Sequence, residues 1–100
     1  MYRIKNIKTG LYYQPSKGGS NLSKNGKVYT TKLNPLTMDR GADYIDVSFL
    51  KRSRVAKTIL EHYPLPSDWT DRYGKSYEDA YRFSQINIKI PKTDFIVEKL

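Results

Sequence analysis

The run Arg3-Ile4-Lys5-Asn6-Ile7-Lys8-Thr9-Gly10-Leu11-Tyr12-Tyr13-Gln14 decides the fold. From Arg3 to Ile7, apolar and basic residues alternate with the two-residue period of a half-buried strand. Lys8-Thr9-Gly10 has turn chemistry, because Gly takes positive φ without penalty. Residues 11–14 are then a second strand, and the pair reads as the start of an antiparallel meander.

Downstream, residues 15–21 read as a polar loop holding Gly18-Gly19. In Leu22-Ser23-Lys24-Asn25-Gly26-Lys27, the Asn-Gly step is a strong short-range hairpin signal. Val28 to Lys32 reads as the returning strand. Asn34-Pro35 marks a break, with loop over 35–42. Residues 44–49 alternate as a strand would, and could equally be the approach to a helix. A helix is expected over 50–63, where Ala56, Ile59, Leu60 and Tyr63 share one stripe and Pro64 ends the run. Ser76-Tyr77-Glu78-Asp79 has the form of a loose capping box, so a short helix is expected after Ser76. Ile86, Ile88 and Ile90 alternate with Asn87 and Lys89 as a half-buried strand; residues 91–94 read as a turn and 95–97 as a last strand. The expected fold is α+β, an antiparallel sheet from the N-terminal meander and C-terminal strands packed against one main basic helix, in a single domain over residues 1–100.

Thirteen aromatic residues, nine of them Tyr, argue against a disordered chain. With no cysteine, disulfides, thiolate metal sites and a Cys nucleophile are excluded. There is no signal-peptide pattern after Met1 and no apolar run of membrane-spanning length, so the expected place is the cytoplasm, with no membrane partner.

Net charge is +8, and its distribution says more than its size. Arg3, Lys5, Lys8, Lys17, Lys24, Lys27 and Lys32 precede the first acidic residue, Asp39, so the opening segment holds +7 and the remainder +1. Such asymmetry points to a polyanionic partner. If Ile4, Tyr13 and Val28 face inward, then Arg3, Lys5, Tyr12, Lys27 and Tyr29 share the outward face, with Lys17 and Lys24 at loop tips. Cations touch phosphates and exposed rings stack on unpaired bases, which makes this a candidate single-stranded nucleic-acid platform. An ordinary solvated lysine face is the plainer alternative. A second candidate is the basic stripe Lys51, Arg52, Arg54 and Lys57 on the expected helix. Lys17-Gly18-Gly19-Ser20 lacks the spacing of a phosphate-binding loop. His62 is the lone histidine with no second acid–base group at a useful spacing; Asp68 and Asp71 have no third ligand for a metal. No catalytic residue, metal or cofactor is expected. Trp69 serves either to cap the core or to anchor a partner.

Tyr2-Arg3-Ile4-Lys5-Asn6, Thr9-Gly10-Leu11-Tyr12-Tyr13-Gln14-Pro15 and Asn21-Leu22-Ser23-Lys24-Asn25-Gly26-Lys27-Val28-Tyr29 resemble small accessory proteins of T4-like tailed phages, and Pro91-Lys92-Thr93-Asp94-Phe95-Ile96-Val97-Glu98 is similar to the ending of such proteins. The resemblance covers about the first 30 residues and the last ten, and carries no site residue with it. It implies a protein that binds and redirects host machinery or opposes a host defence such as a toxin–antitoxin ribonuclease. The expected function is non-enzymatic binding of RNA, or of DNA, together with a host protein or nucleoprotein. Two alternatives stay open: a protein inhibitor docking its basic face on an acidic host surface without nucleic acid, and a small nuclease. Exposed sheet edges also leave room for a homo-oligomer.

Overall fold

The computed structural model describes residues 1–16, 19–30 and 43–100. Lys17, Gly18, Lys32 and the expected break and loop over 34–42 lie outside the described residues. Strands β1 (Tyr2–Asn6), β2 (Tyr12–Ser16), β3 (Gly19–Ser23), β4 (Tyr44–Leu50), β5 (Gln85–Pro91) and β6 (Phe95–Lys99) accompany helix α1 (Ala56–His62). All pairings are antiparallel, in a four-stranded sheet of order β3-β2-β1-β6 and a two-stranded ribbon of β4 with β5. The α+β class expected from the alternation is the one observed.

The β1–β2 turn forms where Lys8-Thr9-Gly10 directed it. Gly10 sits at φ +75° and donates to the Asn6 carbonyl at 2.9 Å. The fully buried Asn6 side chain holds the turn from within, its Oδ1 accepting from the Thr9 amide at 2.8 Å and the Thr9 hydroxyl at 2.7 Å.

Three expectations in the first third change. Of the expected loop over 15–21, the described residues 15–16 and 19–21 are strand, since β2 and β3 pair through Gln14↔Asn21 to Ser16↔Gly19. Proline is tolerated there because the Tyr13 carbonyl turns away from β3 to accept from the Lys27 amide at 3.2 Å. Pro15, two residues on, has the same orientation, so its missing N–H breaks no rung with β3. The returning strand expected over 28–32 lies partly outside the described residues; of its described residues 28–30, only Tyr29 bridges, exchanging 2.7 and 2.8 Å bonds with Tyr2. Residues 27–29 thus slot between β2 and β1, whose direct pairing is confined to Lys5↔Tyr12. Finally, the facing of this segment is reversed. Tyr29 takes the side of its bridge partner Tyr2 and packs against the core, while Val28 is exposed.

In the ribbon, Ile45, Val47 and Phe49 stand opposite Ile90, Ile88 and Ile86. The same face of both strands is therefore apolar, and the residues most completely enclosed include Val47, Ile86 and Ile90. Burying each such side chain stabilises by roughly 1.5–3 kcal/mol. Ala56 and Ile59 of α1 join this core with Ile4, Leu22 and Phe95 from the larger sheet. The Ser20 hydroxyl donates to the Asp46 carbonyl at 2.5 Å, tying β3 to the open side of β4.

The helix is shorter than its apolar stripe suggested. Lys51 and Arg52 continue the β4–β5 ladder instead, donating to the Ser84 and Arg82 carbonyls at 2.9 Å each. These bonds hold the Lys51 and Arg52 backbone against the end of the ribbon, and α1 begins only at Ala56. After Ser76 there is a single turn, with the Asp79 and Ala80 amides donating to the Ser76 carbonyl, and no second helix. Residues 92–94 form a 3-10 turn between β5 and β6.

Tyr63, just past α1, closes a polar link between the helix, the first turn and this 3-10 segment. Its hydroxyl accepts from Asn6 Nδ2 at 2.9 Å and donates to Asp94 Oδ2 at 2.8 Å. Burial is the largest cause pushing the Tyr63 phenol up to about 12. Its folded value thus exceeds the ordinary 10. The stability it contributes is present in full below pH 10 and drains away as pH rises toward 12. The urea midpoint of the native chain should fall across that window, and that of Tyr63→Phe should fall less. Equal losses in both chains would refute this link between Tyr63 and alkaline stability.

Candidate nucleic-acid interface

Strand alternation brings part of the expected basic face together. Arg3 and Lys5 point outward from β1, and Tyr12 stands opposite Lys5 on β2. The Arg3 guanidinium lies 4.1 Å from the centroid of the Tyr12 ring. β6, however, carries a carboxylate to the same place. Glu98 faces Arg3 in register; its Oε1 lies 3.6 Å from Arg3 and its Oε2 3.7 Å from Lys5. Tyr12 donates to Oε1 at 2.8 Å, and this hydrogen bond is the first cause raising the Tyr12 phenol above its ordinary value. Beyond the sheet, Lys8 meets Asp94 at 3.6 Å. Of the five early cations among the described residues, Arg3, Lys5 and Lys8 are thus paired with late carboxylates.

The remaining expected residues are dispersed. Lys24 is exposed on a bend, and Lys27 lies 5.1 Å over the Tyr29 ring, whose outward placement does not hold. Lys51, expected on a solvated stripe, is tied down: its ammonium donates to the Ala80 carbonyl at 2.9 Å and sits 4.8 Å from the Tyr77 ring centroid. Of the proposed helical stripe, only Lys57 is on α1. Arg54 and Lys57 are exposed, and no ion pair holds either among the described residues. Lys17 lies outside the described residues.

If the sheet face is the polyanion surface, removing its one carboxylate strengthens it. Glu98→Gln should then raise retention on single-stranded RNA several-fold at low salt. Unchanged retention by the folded variant removes Arg3 and Lys5 from the interface.

A denser cluster, missed by charge counting, lies at the other end of the ribbon. Where Arg52 continues the ladder to Arg82, both guanidiniums settle on the ring between them, at 4.7 and 4.8 Å from the Phe83 centroid. Tyr81 packs on Phe83 with centroids 5.1 Å apart. Nearby, Arg72 lies 5.3 Å over the Tyr73 ring. Tyr73, Tyr81 and Phe83 are 73%, 64% and 40% exposed, too open for rings whose role is core packing. Among the described residues no carboxylate lies within salt-bridge distance of Arg52, Arg72 or Arg82. The nearby Asp71 lines the hollow beside this cluster, with its Oδ1 accepting from the Tyr73 and Lys75 amides at 2.8 and 2.9 Å. The bond from the Lys75 amide is the first cause holding Asp71 below its ordinary value. The available signal was the adjacency Arg72-Tyr73 and Tyr81-Arg82-Phe83, which is local and unrelated to net charge.

This cluster opens onto a hollow of about 500 Å³ lined by Trp69, Arg72, Tyr73, Tyr81, Phe83 and Asn87, among others. A second hollow, of about 490 Å³, is lined in part by His62, Leu65, Ile88 and Lys89. The two share Trp69 and Asn87. His62 contributes an exposed ring whose Nδ1 lies 3.0 Å from the Thr58 carbonyl. Trp69 packs against the core and meets Tyr77 edge-on at 6.3 Å, so it serves as a wall of the groove as well as a cap.

Among the described residues no group of three or more His, Asp or Glu is placed to hold a metal, and no helix is long and apolar enough to cross a membrane. No protein-family model, curated protein or solved structure matches the chain.

Proposed function

We propose that the chain is a non-enzymatic protein that binds single-stranded nucleic acid, and that its main contact is the Arg52–Phe83–Arg82 cluster with Tyr81 and Arg72. The observation that carries this reading is two guanidiniums held on one exposed ring with, among the described residues, no carboxylate within salt-bridge distance of either. Such cations suit phosphate, and the neighbouring exposed rings suit base stacking at about 1–3 kcal/mol per base. RNA is the expected form, because sequence-specific RNA recognition targets unpaired, splayed bases. The Arg3–Lys5–Tyr12 face becomes secondary in this reading, since Glu98 cancels part of its charge. In an infected cell, such binding would inhibit or modulate a host nucleoprotein or a defence nuclease of the toxin–antitoxin type.

The test is retention of single-stranded RNA as a function of salt. Binding through phosphates should weaken linearly in log–log form with a slope near −0.7 per phosphate contacted. A pull-down from host lysate, with and without nuclease treatment, locates the partner. A host protein retained after complete digestion, with no RNA bound by the pure protein at low salt, replaces this reading with direct docking on an acidic protein surface.

A further inference from the structure

The ladder of the β4–β5 ribbon fixes which backbone groups of β5 are spent. Lys51 donates to the Ser84 carbonyl and Lys92 to the Asp43 carbonyl. Antiparallel rungs alternate, so Ile86, Ile88 and Ile90 bond to β4, while Gln85, Asn87 and Lys89 aim their N–H and C=O groups at the opposite edge. No hydrogen bond from a described residue reaches that edge. It borders the groove, because Gln85 and Asn87 line one hollow and Asn87 and Lys89 the other. The Asn87 side chain is held in a set orientation, its Oδ1 accepting from the Ser48 hydroxyl at 2.5 Å and from Gln85 Nε2 at 3.1 Å. Its amide nitrogen is left as a donor.

We infer that this groove is a reading site for two consecutive unpaired bases, one on each side of Trp69, whose Watson–Crick edges bond to the open edge of β5; this rests on the nucleic-acid reading above. Three features carry it. The open edge offers alternating donors and acceptors, the pattern that a base edge completes. That edge of a base is free only when the base is unpaired, so the site selects single strands over duplex. The indole is shared by both hollows, and an aromatic ring between two sites stacks whatever base occupies either. Arg72 lines one hollow, with Asp71 beside it and with Phe83, the ring that carries Arg52 and Arg82; Lys89 lines the other, so cations flank both ends of the path a backbone would take.

Trp69 is the sole tryptophan, so its emission reports on the groove directly. The probes are short oligouridylate, short oligoadenylate and the duplex of the two, at equal phosphate concentration, with filter retention measured in parallel. Single strands should quench Trp69 and the duplex should not. Trp69→Leu should bind single strands about tenfold more weakly. Lys89→Pro removes one outward N–H without touching a rung to β4, and should abolish the preference for single strand over duplex. If Lys89→Pro fails to fold, the native emission and Trp69→Leu still decide. Filter-retained single strands that leave Trp69 emission unchanged overturn the base-reading site and leave nucleic-acid binding standing. Equal quenching by duplex also overturns it. No retention of any oligonucleotide at low salt overturns nucleic-acid binding itself. Emission that responds only to an acidic peptide makes the edge a strand-addition site for protein, and overturns both.

Discussion

Reversing the charge of both guanidiniums on Phe83, in the double variant Arg52→Glu/Arg82→Glu, is expected to weaken single-stranded RNA binding roughly 100-fold at low salt. It should also make the slope of log affinity against log salt shallower by about 1.4, the loss of two phosphate contacts at about 0.7 each. Both side chains are exposed and neither is in an ion pair among the described residues, so the fold should tolerate the change. A thermal melt checks that it does. The matched control is Arg3→Glu/Lys5→Glu, the same charge change made on the sheet face beside Glu98. If the control loses as much binding as the first pair, or more, the polyanion lies on the sheet face and the Phe83 cluster is an ordinary surface. Nitrocellulose retention across a salt series reads both quantities at once.

The largest effect on stability is expected at Gly26. It sits at φ +64°, and a Cβ there would run into the Cβ of Tyr12 as well as approach the Tyr13 carbonyl at 3.0 Å. Left-handed backbone costs a residue with a Cβ about 1–2 kcal/mol, and forcing an atom into a filled space adds about 1–3 kcal/mol. Gly26→Ala should therefore destabilise by about 2–5 kcal/mol in urea unfolding. Gly10→Ala supplies the comparison, since Gly10 has φ +75° with open space where its Cβ would go. There, only the backbone part should appear, about 1–2 kcal/mol. Equal losses at the two positions would mean that the close approach of Gly26 to β2 contributes nothing. The expected difference reflects the slot: the Lys27 amide can reach the Tyr13 carbonyl only if the preceding residue passes tightly over Tyr12.

The sequence exposed those elements whose pattern is set by burial on one face. Ile86, Ile88 and Ile90 alternate because the ribbon has a single buried side, and this period survives in the sequence. The turn at Lys8-Thr9-Gly10 was legible because only Gly takes that backbone cheaply. Pro15 was misleading: the residue that usually ends a strand is harmless when its missing N–H would have faced away from the paired neighbour. Val28 and Tyr29 have the right composition for a strand, but one bridge to Tyr2 fixed their facing and reversed the expected phase. Lys51 and Arg52 belong to the expected basic helix face, yet bonds to Ser84 and Arg82 hold their backbone at the end of the ribbon, a tertiary event that no local period records. The same holds for the candidate site. Arg3, Lys5 and Tyr12 could be placed together by alternation, whereas the pairing of β6 with β1, which delivers Glu98, joins distant parts of the chain. Arg72, Tyr73, Tyr81, Arg82 and Phe83 sit in turns without periodicity, so their gathering depends on how the ribbon ends.

The pairing of Tyr2 with Lys99, extended by the bond from the Leu100 amide to the Met1 carbonyl, also bears on how the chain is made. During synthesis β1 is made before β6, so the side of β1 that β6 will cover stays bare until residues 95–99 are translated. In that interval, its unsatisfied amides are open to whatever extended segment drifts past. Arg3 and Lys5 alternate along that strand, charges of the kind that discourage edge-to-edge pairing, and β6 brings the carboxylate of Glu98 that meets both.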